Sequence, residues 1–257
     1  MKRELDIFLT ALMFFTRIPV PRRINHGTEL LQKSAKYFPW VGILVGAIAG
    51  AFYLLCMNLF SQSISVFISI VASILVTGAF HEDGFADICD GFGGGWTKEK
   101  ILLIMKDSRL GTYGVIGIIS ILGFKFLILL ELSSRLSDWS IFLLIVSAHS
   151  ISRFAAVTLI QQYKYVINDD VSKSKPLANS KLLPSELLIA LIGASLPVLF
   201  IEYKSLPALI LVAISRLYLG YYFQKWIGGY TGDCLGATQQ VCEVSFYLGI
   251  LFIWKFI

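Results

Sequence analysis

The sequence predicts an all-α, polytopic membrane bundle of about seven spans, with an N-terminal interfacial or re-entrant helix ahead of them. Three observations carry this expectation. Hydrophobic residues make up 56% of the 257 and charged residues only 15%, at a mean hydropathy of +0.73, which is too apolar for a soluble globule. Apolar runs near the roughly 17 to 25 residues needed to cross a bilayer recur along the chain. The lysines and arginines also divide unevenly between the two faces that alternating spans would create.

The N-terminal stretch "MKRELDIFLTALMFFTRIPVPRR" imitates a secretory signal, with a basic start and a short apolar run. Glu4 and Asp6 interrupt that start and no small-residue cleavage site follows. The run is also too short to span, so an interfacial or re-entrant helix ended by Pro19 and Pro21 is expected. Spans then follow at roughly 41–60, 63–80, 113–132, 139–160, 185–201, 206–223 and 242–256, the last one short. No internal repeat or linker interrupts them, so residues 1–257 read as a single transmembrane domain.

With this order of spans, sixteen Lys and Arg fall on the N-terminal side and three on the other, while Lys125, Arg153 and Arg216 lie inside spans. Basic residues accumulate on the cytoplasmic side, so the N-terminus is expected there. The loops around 81–112, 161–183 and 224–241 then share the cytoplasmic face and can build one site. The net charge of +5 does not indicate nucleic acid, since the bases form no cluster with a stacking platform. Cys56, Cys89, Cys234 and Cys242 show no CxxC spacing, which leaves them as reduced packing residues.

The densest chemistry is "HEDGFADICDGFGGG" at 81–95, directly after the second apolar run. On a helix, Asp83, Asp87 and Asp90 share an arc of roughly 60°, with Glu82 about 80° from the nearest of them. Like charges at this spacing destabilise a helix. Two carboxylates about 4 Å apart repel by roughly 4 kcal/mol at an effective dielectric of about 20. No Lys or Arg occurs between Lys36 and Lys98 to offset them. Hard divalent cations favour such oxygen donors, and magnesium takes carboxylates together with substrate phosphates. A metal-assisted phosphoryl chemistry follows, with Glu82, Asp83, Asp87, Asp90 and Asp233 as candidate ligands. A plain solvated acidic loop is the competing reading.

Other candidates lie nearby. "IMKDSRLGTYG" supplies Lys106, Ser108 and Arg109, either a positive-inside flank or phosphate binders. "GGYTGDCLGATQQ" brings Thr231 and Asp233 in a glycine-rich loop, which is either a turn or a phosphate cradle. Charges within spans usually face the interior with a partner, so Arg153 is expected to pair with an acid or a phosphate. Lys125 reads as snorkelling or paired, and His149 as a hydrogen-bonded core residue. His81 beside the acids is a candidate base or a packed residue.

The blocks "FFTRIPVP", "YFPWVG", "TGAFHEDGFADICDGFGGG", "IMKDSRLGTYG" and "GGYTGDCLGA" resemble the cobalamin synthase family, in its order, from position 14 to 237. The resemblance implies a multi-pass enzyme of the cell inner membrane whose active site faces the cytoplasm. It implies magnesium and two substrates, adenosylcobinamide-GDP and α-ribazole or its 5′-phosphate, with GMP released. On that reading Asp83, Asp87, Asp90 and Asp233 hold magnesium, Arg109 and Arg153 hold phosphate oxygens, and an acid or His81 deprotonates the ribazole hydroxyl. Membrane lipid is the surrounding partner, and a homo-oligomer or a complex with other cobalamin-assembly enzymes stays open. Two rivals stand beside it: a CDP-alcohol phosphatidyltransferase-like lipid enzyme and a divalent-cation transporter.

Overall fold

The computed structural model describes residues 2–21, 28–167 and 181–256, and these residues are helical throughout apart from their connections. Arg22, Arg23, Lys173 and Lys175, counted above on the basic side, lie outside them. Helix α1 (Lys2–Phe15) is amphipathic, burying Ile7, Ala11, Leu12 and Phe15 while Leu5 and Met13 stay exposed, as an interfacial helix should. It ends four residues before Pro19, whose ring cannot continue a helix. Helix α2 (Thr28–Ser34) runs through a 3₁₀ turn into α3 (Phe38–Met57).

Helices α4 (Gln62–Thr77) and α5 (Phe80–Gly94) meet at 90°. The corner is made by two successive left-handed residues, Gly78 at φ +67° and Ala79 at φ +58°. Glycine adopts that conformation freely, whereas Ala79 holds it under strain. The acidic segment is therefore a helix of its own, turned away from the span that precedes it. Helix α6 (Lys98–Met105) is short, with Thr97 accepting from the Lys100 amide at its start. Then come α7 (Thr112–Ser133), α8 (Asp138–Gln162), α9 (Pro184–Val198), α10 (Ala208–Ile227) and α11 (Gly232–Phe256).

Among the described residues, Glu29–Met57, Thr112–Ser133 and Asp138–Gln162 are long and apolar enough to cross a bilayer, and α4 with α5 makes a fourth if counted as one broken span. The seven expected spans exceed this number for a physical reason. Helix α9 has only 15 residues, α10 carries Arg216, Gln224 and Lys225, and α11 carries Gln239, Gln240 and Glu243 through its middle. Large apolar side chains such as Ile116, Ile119 and Leu127 on α7, and Ile210, Ile214 and Leu217 on α10, are exposed, as suits helices set in lipid.

Helix α8 is the central element. Gly42 and Gly46 of α3 press against it so closely that a Cβ at either would collide with the backbone of Val146, His149 or Ser150. The Ser150 hydroxyl donates to Pro39 O at 3.1 Å and Gly193 O at 2.9 Å, joining α3, α8 and α9. A buried polar network fills the space between α5, α7, α8 and α11. Lys125 pairs with Glu243, which also accepts from Gln239 Nε2 at 2.6 Å and lies 3.5 Å from His149 Nδ1. This places Lys125 as an ion-pair partner and His149 in the hydrogen-bonded core, inside a protein interior where unpaired charge is costly.

Candidate active site

The acids converge because α5 and α11 cross at contact distance. Gly84 lies against the backbone of Asp233, and Gly236 against His81 and Gly84. A side chain at either glycine would force the helices apart. Asp83 is exposed, and Asp87 and Asp233 are partly buried. Burial pushes the Asp87 carboxyl up to about 7, reinforced by Asp233, Asp83 and Asp90 in that order. Burial likewise raises Asp233 to about 6, with Asp83 adding to the shift. Among the described residues the charges that shift Asp87 are other carboxylates, so this is a focus of acid.

Glu82 and Asp90 stand apart from that focus. Glu82 is buried and its Oε1 accepts from Gln240 Nε2 at 2.9 Å, while Oε2 has no partner. It is joined to the interior network through Gln240. Asp90 accepts from the backbone amides of Gly111 at 2.7 Å and Gly114 at 2.8 Å, which caps the start of α7. Both its oxygens are engaged, and the positive end of the helix favours the charge. The helical stripe holds, but its third member positions a loop. That loop carries Lys106, Ser108 and Arg109, all exposed, and Asp90 ties it to the acidic helix. Arg109 forks onto Asp107, with Nε at 3.0 Å from Oδ1 and Nη2 at 2.6 Å from Oδ2.

Three further candidates lie in the interior. His81 is buried and stacks on Phe15 with ring centroids 6.2 Å apart, and burial pushes its pKa well below the usual range. Of the two expectations for His81, base or packed residue, this enclosure favours the packed one. Arg153 is 3% exposed and donates from Nη1 to His149 O at 2.8 Å, with no partner at Nε. Among the described residues no carboxylate pairs with it directly, since Glu243 is taken by Lys125. The cavity beside it, shared with His81 and Gln239, is about 30 Å³, enough to hold water. Thr231 is fully buried, and its hydroxyl accepts from the Cys234 amide at 3.3 Å as the cap of α11.

The glycine-rich segment is a turn followed by a helix. Gly228 (φ +79°) and Gly229 (φ +155°) reverse the chain. Tyr230 then bonds back to the end of α8, its amide to Lys164 O at 2.9 Å and its carbonyl from Val166 N at 3.0 Å. This clip fixes where α11 begins and so where Asp233 sits. Gln240 and Glu243, which anchor α11, escaped the sequence reading because one lies at the end of the glycine-rich loop and the other at the start of the weakest apolar run. Their seven- and ten-residue spacing from Asp233 was the available signal.

Among the described residues no three His, Cys, Asp or Glu side chains stand close enough to ligate one ion by themselves. Magnesium commonly takes one or two carboxylates and fills its shell with water and phosphate oxygens. The hard, mutually repelling oxygens of Asp83, Asp87 and Asp233 fit that mode.

Apolar helices that gather facing aspartates at one end of the bundle define a membrane protein with an acidic site. The chain belongs to the cobalamin-5-phosphate synthase family, whose model matches residues 7–251. It is 43% identical to the adenosylcobinamide-GDP ribazoletransferase of Shewanella piezotolerans over 98% of this chain and 97% of that one. It is 42% identical to the protein of the same description from Vibrio cholerae, over 98% and 95%. No solved structure matches the chain.

Proposed function

We propose that this chain joins adenosylcobinamide-GDP to α-ribazole or α-ribazole 5′-phosphate, releasing GMP, in the assembly of cobalamin. It is a transferase of cobalamin biosynthesis, as its family and its near full-length relatives are. The observation that carries the mechanism is the meeting of Asp83, Asp87 and Asp233 where α5 crosses α11. Asp83 and Asp233 would hold magnesium with Asp87 beside them. That ion would offset charge on the diphosphate and on departing GMP.

Asp87, raised to about 7, suits a base that works near neutral pH. It takes the proton from the ribazole hydroxyl as that oxygen bonds to the cobinamide-side phosphorus. The bond from that phosphorus to the GMP oxygen breaks, and GMP leaves with the electron pair. Arg109 swings its fork from Asp107 to phosphate oxygens, with Lys106 and Ser108 on the same loop. Arg153 supports the site from below through the buried network.

The site faces the cytoplasm of a multi-pass protein of the inner membrane, with about seven helices crossing or partly crossing it. The sixteen-to-three distribution of basic residues supports that orientation. The test is a product assay on purified protein with adenosylcobinamide-GDP and ribazole phosphate, with and without magnesium. GMP and cobalamin phosphate are expected in equal amounts, only with the ion present. Full turnover in a chelator would overturn the magnesium role, and no product in either condition would overturn the reaction.

A further inference from the structure

A cavity of about 600 Å³ lies between α8, α9 and α10 and shares no residue with the acidic site. Its walls are apolar, with Phe154, Ala194 and Val212 inside. Leu191, Leu199 and Leu217, all exposed, stand along it. In a bilayer such a mouth opens onto lipid.

One cation breaks the apolar lining. Arg216 is 7% exposed. Its Nε donates to Thr158 Oγ1 at 2.7 Å, Nη2 to Thr158 O at 2.7 Å and Nη1 to Gln162 Oε1 at 2.5 Å. The Tyr163 ring lies 5.6 Å from the guanidinium carbon. All these partners are neutral, and no carboxylate pairs with Arg216 among the described residues. The end of α8 supplies about half a unit of negative charge. A guanidinium has five N–H donors, and among the described residues they meet only the neutral groups of Thr158, Gln162 and Tyr163. Net positive charge is left at one end of an apolar groove.

Its position matters too. Thr158 and Gln162 form the last turn of α8, at the end where the chain is clipped to Tyr230 beside the acidic site. Arg216 therefore stands at the end of the groove nearest the site, with the apolar lining of α8, α9 and α10 running away from it.

We propose that this groove binds one anionic phospholipid, with its phosphate at Arg216 and an acyl chain along the cavity between α8, α9 and α10. A zwitterionic lipid offers the same phosphate and chain but no net charge, so the uncompensated guanidinium selects against it.

The test is native mass spectrometry of the full-length protein, delipidated in detergent and titrated with phosphatidylglycerol or phosphatidylcholine of equal chain length. Wild type should retain one phosphatidylglycerol with at least a tenfold preference. Arg216→Lys should keep the preference, and Arg216→Gln should bring the two lipids within about twofold. Ala213 lines the groove but is exposed, so Ala213→Phe fills it without entering the core and should weaken both lipids. Thermal melting run alongside confirms that each variant is folded. Equal retention of both lipids by wild type, or a preference that survives in Arg216→Gln, would overturn the proposal. So would a dimer that Ala213→Phe dissociates with no lipid bound, since the groove would then seat a second copy of the chain.

Discussion

Asp87→Asn should stabilise the magnesium-free protein while abolishing its activity. In the folded protein burial, with Asp233, Asp83 and Asp90, raises this carboxyl from 3.8 to about 7. The folded state then binds the proton more tightly than the unfolded state does. Stability is therefore full at acid pH, falls as pH climbs from the ordinary carboxylate range, and levels off above about 7. A rise of about three units corresponds to about 4 kcal/mol of lost stability at pH 8. Asp87 is partly exposed, and screening by water reduces this to about 2 kcal/mol. Asparagine keeps the shape and removes the charge.

The assay is denaturant unfolding in detergent with a chelator, at pH 5 and pH 8. Through Asp87 wild type should lose about 1 kcal/mol between the two, the rest of the loss falling below pH 5, and the variant should lack that share while keeping the part due to Asp233, so that at pH 8 the variant is the more stable. Added magnesium should close the gap by stabilising only the wild type, since an ion bound by the folded state raises its stability. A variant less stable than wild type at pH 8 in chelator would refute the argument, because Asp87 would then be a structural acid with an attractive partner.

Substitutions at four other positions separate roles within and below the site. Asp90→Ala removes a charged acceptor from two amides at the start of α7, and should cost about 2–4 kcal/mol in unfolding experiments. Asp83→Asn, exposed, should cost almost none while still stopping turnover. Arg109→Ala should leave the melting temperature unchanged and lower kcat/KM in the ribazole transfer assay, with Arg109→Lys restoring part of it because the bidentate fork is lost. Lys125→Met strands Glu243 in the interior and should cost about 3–5 kcal/mol by the same unfolding measurement.

Much of the fold was legible because lipid imposes simple rules. Apolar length announced α3, α7 and α8, and the N-terminal helix followed from a short amphipathic run before two prolines. The limits came from helices whose polar residues satisfy one another. Gln239, Gln240 and Glu243 lower the hydropathy of α11, so the apolar run seemed to begin at 242, whereas the helix begins at Gly232. For the site, helical spacing separated Glu82 from the stripe, and the structure indeed turns Glu82 inward. Spacing along one helix could not show that Asp90 caps a second, because its partners Gly111 and Gly114 lie more than twenty residues away. Nor could it show that aromatic rings enclose His81.

The position of the buried network explains why a membrane protein would keep charge in its interior. On α11, Asp233, Gly236 and Gln240 are spaced i, i+3, i+7 and share one face. That face is the one laid against α5. Asp233 meets Gly84, Gly236 meets His81, and Gln240 donates to Glu82. Apolar packing between two helices tolerates sliding and rotation, since one methyl contact resembles the next. A buried Gln240–Glu82 bond does not, because a slip of one residue would leave both groups unpaired. Gln239 and Glu243 fix the other faces of α11, through Ser152 on α8 and Lys125 on α7. Asp233 is thus held against Asp87 despite their mutual repulsion. The interior charges set the rotation of α11, and that rotation brings its aspartate to the acids of α5.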